Sequence, residues 1–247
     1  MRRTSIRLAL GLLLLVAAVV ALAPATFVDA ALGSRTHGQW RIAGASGLWW
    51  RGRGVVSSAD GHARMPIAWR VAVLQLLRGD LSIELDPGGG AAQGTIDLRP
   101  GALSLHDLQL RVPAAFGAAL APRTVALAVG GTLDLRAAAF EWTPTGGSGS
   151  LAAQWQRARM VIAGTTVDLG TVSLAVAPRL GRLSGTLSNA GGELGIEGSI
   201  TGSGGSVDAA LTLKPSPSTP EPVRRGLPML GEQDATGDVH IAWHGGP

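Results

Sequence analysis

The chain has 247 residues, a formal net charge of only +4 and no cysteine. This length suits one large all-β domain or two small ones with a buried core, and the lack of cysteine excludes disulfides, thiolate chemistry and cysteine-based metal sites. The basic residues are scattered and form no stripe with interleaved aromatic residues, so we expect no nucleic-acid partner.

The N-terminus consists of a short basic start, residues 1–7, and an uncharged apolar run over residues 8–23. Arginines in front of an apolar run predict a cytoplasmic N-terminus and export of the residues after the run. The run is shorter than the ~20 residues of a membrane span, but extension to residue 28 gives a transmembrane anchor over 8–28. The predicted anchor residues are Leu8, Leu12, Leu15, Val19 and Leu22.

A cleaved signal peptide is the alternative to this anchor, with candidate cleavage sites after Ala23 and after Ala30. Pro24 would directly follow the first cut, which disfavours cleavage there. Both alternatives place residues 33–247 outside the cytoplasm as a β-rich domain. The retained anchor, which we favour, predicts a single-pass membrane protein with most of its chain across the inner membrane.

Beyond residue 33 the dominant pattern is an alternation of apolar and polar residues in short units bounded by glycine. Within 101–112 the alternation shifts by one residue at His106 and Asp107, which predicts a bulge or a turn. The segments 125–129 and 131–135 flank a Gly-Gly pair, which predicts a hairpin.

Alternation with one apolar face is typical of an antiparallel sheet that is covered on one side. The predicted fold class is therefore all-β, mainly antiparallel, a meander that forms a curled sheet or groove, with one N-terminal transmembrane helix. Short helical segments are predicted over 68–77 and 113–120, and a flexible turn over 146–150. The Pro-rich segment 215–222 is predicted to be a linker or loop that separates the last strand from the main sheet.

Side chains that could perform catalysis form no recognisable motif. The five histidines lack His-Glu-x-x-His spacing, and the acidic residues alternate singly with apolar ones, as on a solvated strand face. The glycine-rich segments lack the Lys-Ser/Thr of a phosphate loop, and no Gly-x-Ser-x-Gly elbow lies at a strand-to-helix junction. We therefore expect no enzyme activity, no metal site and no cofactor.

Tryptophan occurs seven times. Residues of this size commonly fill a core or a sheet face, which is the simplest interpretation. A second interpretation concerns Trp49 and Trp50, which have Arg51 and Arg53 beside them. They could line a surface close to the membrane that binds a partner or faces lipid, because Trp favours membrane interfaces and Trp and Arg are common interface anchors.

The segment 44–54 reads Gly-Ala-Ser-Gly-Leu-Trp-Trp-Arg-Gly-Arg-Gly and lies after a single N-terminal hydrophobic segment. It resembles the early Gly-Thr-Leu-Trp-x-Gly signature of protein N of the type II secretion system. Trp49 is a departure, because the family usually has a small or aliphatic residue there. Further segments resemble later parts of the family in the same order: 66–69 with 74–85, 187–194, and 237–243.

The resemblance implies an inner-membrane protein of a Gram-negative cell with its main domain in the periplasm. It would be an accessory component of the machine that exports folded proteins across the outer membrane. It would act through protein–protein contacts with the secretin or with the inner-membrane platform. The resemblance carries over no catalytic residue. The candidate interaction and family-motif residues are Gly47, Trp49, Trp50, Gly52 and Trp69.

A second function is left open by the same alternation pattern: an AsmA-like envelope protein that binds or transfers lipid on the apolar face of its sheet. An apolar concave face left uncovered by helices would favour lipid handling. A filled core with exposed sheet edges would favour docking onto another protein.

Overall fold

The structure is a computed structural model that describes residues 22–61, 63–76, 78–86, 91–120, 129–162, 164–179, 181–203 and 206–245. The predicted anchor residues Leu8, Leu12, Leu15 and Val19 lie outside the described residues, as does the basic start. Within the described ranges, no helix has the length and apolar character needed to cross a membrane.

Strands make up most of the described chain. They are β1 (Trp40–Leu48), β2 (Arg51–Ser58), β3 (Arg64–Val71), β4 (Leu81–Leu85), β5 (Ala92–Arg99), β6 (Ala102–Pro113), β7 (Val129–Thr143), β8 (Gly146–Gly149), β9 (Leu151–Ile162), β10 (Thr165–Arg179), β11 (Arg182–Ala190), β12 (Leu194–Ser203), β13 (Ser206–Pro215), β14 (Glu232–Gln233) and β15 (Val239–Gly245). The described helices are α1 (Thr26–Arg35), α2 (Val73–Leu76), α3 (Ala114–Leu120) and α4 (Glu221–Gly226), and a 3-10 turn comes next at Leu227–Met229.

All of these strands belong to one 15-stranded sheet whose pairings are antiparallel. Strands that are consecutive in the chain pair in order from β1 to β7 and from β9 to β13, while β8 pairs with β7. The predicted antiparallel meander is confirmed. The prediction that residues 215–222 separate the last strand from the main sheet is wrong, because β15 pairs with β13 along its whole length.

The strand registers place the apolar residues of successive strands on one face of the sheet. Ile96 of β5 lies opposite Leu105 of β6, which in turn lies opposite Phe140 of β7. Directly opposite residues point to the same side of a sheet. The alternation seen in the sequence therefore becomes one apolar face that continues from strand to strand.

Three clusters of buried side chains lie along this apolar face. The N-terminal cluster contains Ala25, Trp40, Ile42, Val56, Met65, Trp69, Val71 and Val112. The central cluster contains Leu105, Leu108, Ala137 and Phe140. The C-terminal cluster contains Ala158, Val167, Leu169, Val172, Leu194, Ile196, Leu213, Val223, Leu227 and Val239.

Helices cover the two outer clusters. Leu32 of α1 and Phe116 of α3 pack against the N-terminal cluster, and the Phe116 ring meets Trp40 edge-on with ring centroids 5.0 Å apart. At the other end, Val223 of α4 and Leu227 of the 3-10 turn are completely buried in the C-terminal cluster. The described strands form one sheet, so these helices contribute to the layer that covers its apolar face.

The predicted irregularity at His106 and Asp107 is confirmed. Asp107 has a φ of 48°, and the pairing of β6 with β5 shifts by one residue at this point. Leu105 and Leu108, which lie on either side of the shift, both enter the central cluster. The bulge therefore keeps the apolar residues of β6 on the buried face.

The predicted hairpin at the Gly-Gly pair is wrong, because Gly130 and Gly131 lie inside β7, which continues without a turn; residues 125–128 lie outside the described ranges. A Cβ on Gly131 would lie 2.5 Å from the carbonyl oxygen of Arg157 on β9. The glycine thus permits a close approach between strands at a register shift instead of forming a turn.

The predicted flexible turn over 146–150 is also wrong, since Gly146–Gly149 form β8 and pair with β7. A Cβ on Gly147 would lie 2.3 Å from the carbonyl oxygen of Glu141, so these glycines again allow strands to come close. The predicted helix over 68–77 is reduced to α2, because Trp69 and Val71 pair with β4. The helix predicted over 113–120 is confirmed as α3.

Phe140→Ala should destabilise the protein by about 3–5 kcal/mol, because Phe140 is 2% exposed and its removal leaves a cavity in the central cluster. Urea unfolding of the detergent-solubilised full chain, monitored by circular dichroism, measures this. Val161→Ala is the control; Val161 is 42% exposed, and its change should stay within about 0.5 kcal/mol. Equal losses of unfolding free energy for both variants would contradict the burial of Phe140 in the central cluster.

Candidate functional site

The five predicted motif residues lie together at the hairpin between β1 and β2. Trp49 and Trp50 form its two-residue connection. Gly47 pairs with Gly52 just inside the turn, and Trp69 of β3 lies opposite Gly52. We call this group the tryptophan turn.

Both glycines of the tryptophan turn are required by close contacts. Gly47 has a φ of 95°, which L side chains rarely adopt, and a Cβ there would lie 2.5 Å from the carbonyl oxygen of Arg51. A Cβ on Gly52 would lie 2.5 Å from Cζ2 of Trp69. Gly52 therefore leaves the space in which the indole ring of Trp69 crosses β2.

Trp69 holds the tryptophan turn from the neighbouring strand. It is 7% exposed, and its indole Nε1 donates a hydrogen bond of 2.8 Å to the carbonyl oxygen of Trp49. A buried indole N–H needs such an acceptor, so this bond satisfies Trp69 and fixes the backbone of the turn. Trp49 and Trp50 are themselves half-buried against the N-terminal cluster.

The chain directly after the apolar run lies along the outer edge of β1. The amide of Trp49 donates to the carbonyl oxygen of Ala23 at 3.0 Å, and the amide of Ala25 donates to that of Gly47 at 3.0 Å. Pro24, between them, forms an antiparallel bridge with Leu48. No linker therefore separates the end of the apolar run from the sheet.

Two side chains close the rest of the β1 edge. The amide of Ile42 donates to Oδ1 of Asp29 at 2.7 Å. The amide of Trp40 donates to the hydroxyl of Thr36 at 3.2 Å, and Thr36 is 1% exposed. An unpaired strand edge attracts other strands, so these bonds make the β1 edge unavailable to another chain.

Asp29 also binds Arg41 in a bidentate ion pair. Nε of Arg41 lies 2.9 Å from Oδ1 and its Nη2 lies 2.6 Å from Oδ2. The hydrogen bonds from Arg41 lower the pKa of the Asp29 carboxyl, with a further contribution from the Ile42 amide, although burial acts in the opposite direction. The same pair raises the pKa of Arg41. The ion pair thus fastens α1 to β1.

A groove of about 440 Å³ opens on the polar face of the sheet beside the tryptophan turn. Its lining includes the charged side chains Arg51, Arg53, Arg70, Glu84 and Asp86, and Nη1 of Arg70 lies 2.9 Å from Oε2 of Glu84. A charged lining of this kind suits polar partners and not the apolar chain of a lipid.

A second cavity, of about 200 Å³, lies on the polar face between β5, β6 and β7. Its charged lining includes Arg111, Asp134 and Arg136, and Nε of Arg111 lies 2.6 Å from Oδ1 of the buried Asp134. Across the described ranges, no group of three or more histidine and acidic side chains could hold a metal ion.

The opposite edge of the sheet is formed by β14 and β15. β14 pairs only with Val239 and His240. Beyond His240, β15 pairs with β13 on one side, and no described strand pairs with it on the other. Trp243 in this stretch is 55% exposed. We call residues 241–245 the β15 edge; unlike the β1 edge, it presents strand backbone beside an exposed tryptophan.

The two histidines of β15 each contact a different carboxylate. Nε2 of His240 lies 3.0 Å from Oδ2 of Asp234, and Nδ1 of His244 is in close contact with Asp208. The pKa of Asp234 is lowered, first by the hydroxyl of Thr236 and then by His240. The contact of His240 with Asp234 holds the loop that leads into β15, and the contact of His244 with Asp208 links β15 to β13.

Comparison with known proteins gives the family. The model of the family described as type II secretion system (T2SS), protein N, matches residues 38–242, which is most of the chain. The chain belongs to the type II secretion system protein N family. No curated protein and no solved structure matches it.

Membership in the protein N family confirms the resemblance that the tryptophan turn and the later motifs indicated. It makes the chain a type II secretion component, with contacts to other components of that system, in a family that is not known for enzyme activity. The matched residues include the whole tryptophan turn and most of β15.

Two features of the site were missed from the sequence. The closure of the β1 edge by Asp29 and Thr36 has no local signal, because the contacts of Asp29 join positions 12 and 13 residues apart in different elements. The free side of β15 was missed because its last residues alternate like those of any other strand. Only the pairing of the whole sheet identifies it as an edge.

Gly52→Ala should destabilise the protein by about 1–3 kcal/mol, since the added Cβ would collide with Trp69. Gly130→Ala is the matched control in another strand; its Cβ would meet nothing closer than Cβ of Arg159 at 3.9 Å. Urea unfolding of both variants measures the difference. A loss for Gly130→Ala as large as that for Gly52→Ala would argue against the contact with Trp69.

Asp29→Asn should remove a stabilisation that depends on pH. Because the pKa of Asp29 is lowered from 3.8 in the folded protein, its charge stabilises the fold above that value, and the contribution is lost as pH falls through the folded-state pKa. The stability difference between wild type and variant, measured by urea unfolding, should therefore be largest near neutral pH and shrink below about pH 4.

Glu84→Gln is the control for this pH series. Glu84 forms an exposed ion pair with Arg70, with side-chain exposures of 54% and 51%, and such pairs contribute about 0–1 kcal/mol. A pH-independent difference for Asp29→Asn would show that the charge of Asp29 does not hold α1 to β1.

Proposed function

We propose that this chain is an inner-membrane type II secretion component whose periplasmic domain docks onto the secretin or the inner-membrane platform through the β15 edge. The apolar run over residues 8–23 anchors it, with the N-terminus in the cytoplasm. Residues 24–28, which the predicted anchor over 8–28 also included, leave the span because Pro24 pairs with Leu48 and Ala25 is buried against the sheet. The docked partner adds an extended segment to β15, and the contact supports export of folded proteins across the outer membrane. The observation that carries this proposal is that, among the described residues, no strand pairs with the outer side of β15 beyond His240, while its inner side pairs with β13.

The two edges of the sheet differ in a way that supports this docking. β1 is closed by its own chain through Ala23, Ala25, Asp29 and Thr36. β15 offers backbone donors and acceptors, which give affinity when a strand is added to a sheet. Trp243 stands beside them at 55% exposure, and tryptophan is a frequent anchor at protein interfaces.

Lipid handling on the apolar face receives less support. That face is filled by three buried clusters, and α1, α3 and α4 cover the outer two. The groove beside the tryptophan turn and the cavity around Asp134 both open on the polar face and carry charged linings. A filled core with one open edge favours docking over the AsmA-like alternative.

Trp243→Arg should weaken binding to the partner at least tenfold, which corresponds to ~1.4 kcal/mol, because an added charge blocks strand addition at an edge. Binding of the detergent-solubilised full chain to purified periplasmic domains of the secretin, and separately to the inner-membrane platform, measures this. Met229→Arg is the matched control, since Met229 is 89% exposed and lies outside β15.

Two results would contradict docking through the β15 edge. One is unchanged binding of Trp243→Arg to a partner that the wild-type chain binds. The other is an equal loss for Met229→Arg, which would point to a general effect of added charge. A photo-crosslinker placed at position 243 in cells should attach to a type II secretion component, and attachment to phospholipid instead would favour lipid handling.

A further inference from the structure

The end of the sheet that carries the tryptophan turn has the features of a membrane contact. We propose that the tryptophan turn, Phe27 and Leu74 rest in the headgroup region of the bilayer, so that the sheet stands on the membrane by this end and directs β15 away from it. This placement rests on the retained anchor of the proposed function.

The first support is the direct link between the apolar run and the turn. Ala23 is the last residue of the uncharged run, and its carbonyl oxygen accepts the amide of Trp49 at 3.0 Å. The next amide bond, from Ala25 to Gly47, is also 3.0 Å long. The span of the proposed anchor ends at Ala23 and not at residue 28, because Pro24 already pairs with Leu48 and Ala25 is 1% exposed against the sheet. This end of the span brings Trp49 to the bilayer surface, since its amide bonds to Ala23 itself.

The second support is the exposed apolar side chains around this link. Leu22 is 70% exposed and Phe27, in the first turn of α1, is 63% exposed. Leu74 of α2 is 78% exposed, and α2 starts just after Val71, whose amide donates to the carbonyl oxygen of Trp50 at 2.6 Å. Three exposed apolar side chains thus belong to segments whose backbone is hydrogen-bonded to the tryptophan turn or continues directly from such a bond.

The third support is the chemistry of the neighbouring residues. Tryptophan favours the headgroup level of a bilayer, where its apolar ring and its N–H group are both accommodated. Arg51 comes directly after the turn and Arg78 comes just after α2, and both are exposed. Guanidinium groups beside an apolar rim can bind lipid phosphates, so the expected occupant is a bilayer that contains anionic phospholipid.

Single spin labels can test this placement without background, because the chain has no cysteine. Leu74→Cys and Met229→Cys are matched variants, since both residues are exposed apolar side chains at 78% and 89% in short helical segments. The labelled full chain is reconstituted into vesicles of phosphatidylethanolamine and phosphatidylglycerol. The ratio of collisions with oxygen to collisions with a water-soluble nickel chelate then reports the depth of each label.

The label at position 74 should show a several-fold higher oxygen-to-nickel ratio than the label at position 229, which should match a label in water. Phe27→Cys provides a second position at the same end and should behave like Leu74→Cys. Vesicles of phosphatidylcholine alone should lower the ratio at position 74 if Arg51 and Arg78 bind anionic lipid.

If the chain resists carbonate extraction but the labels at positions 27 and 74 show the oxygen-to-nickel ratio of a label in water, the membrane contact is overturned and the anchor stands. Loss of the full chain from the vesicles on extraction would overturn both the anchor and the contact. If the labels at positions 74 and 229 both show the oxygen-to-nickel ratio of the bilayer interface, the sheet lies along the bilayer, and the end-on placement is overturned.

Discussion

The described strands form a single antiparallel sheet that has to bury its apolar face, and the rest of the structure depends on this constraint. The buried clusters are spread along the face from β1 to β15. The covering elements are short helices in connections, such as α3 between β6 and β7 and α4 after β13. Each helix contributes a few apolar side chains, and Val223 and Leu227 are completely buried for this reason.

An open sheet also has two edges, and this chain treats them differently. At β1, the segment from Ala23 to Thr36 supplies backbone and side-chain hydrogen-bond partners for the edge of the strand. The same segment ties the predicted anchor to the tryptophan turn, where Gly47 and Gly52 allow Trp69 to fix the backbone. The opposite edge at β15 carries no such cover among the described residues. The proposed membrane attachment and the proposed docking site thus fall at opposite edges of the sheet.

Local patterns were sufficient to predict the strands and the face that they bury. A period of two is a property of the strand itself, so alternation showed which side chains lie together before any partner strand was known. The shift at Asp107 was visible because it interrupts this period. The tryptophan turn was found through its resemblance to a family, and residues 38–242 match that family.

What the sequence determined by itself is the class of sheet, its apolar face and the family motif, because these depend on short-range order along the chain. The tertiary structure alone decided the meaning of the glycines and the identity of the edges. Gly131 and Gly147 lie in glycine-rich segments that are typical of turns. In the structure, however, they lie where a neighbouring strand leaves no space for a Cβ. Whether a strand has an open edge depends on the pairing of every other strand, so β1 and β15 could be told apart only after the whole sheet was assembled.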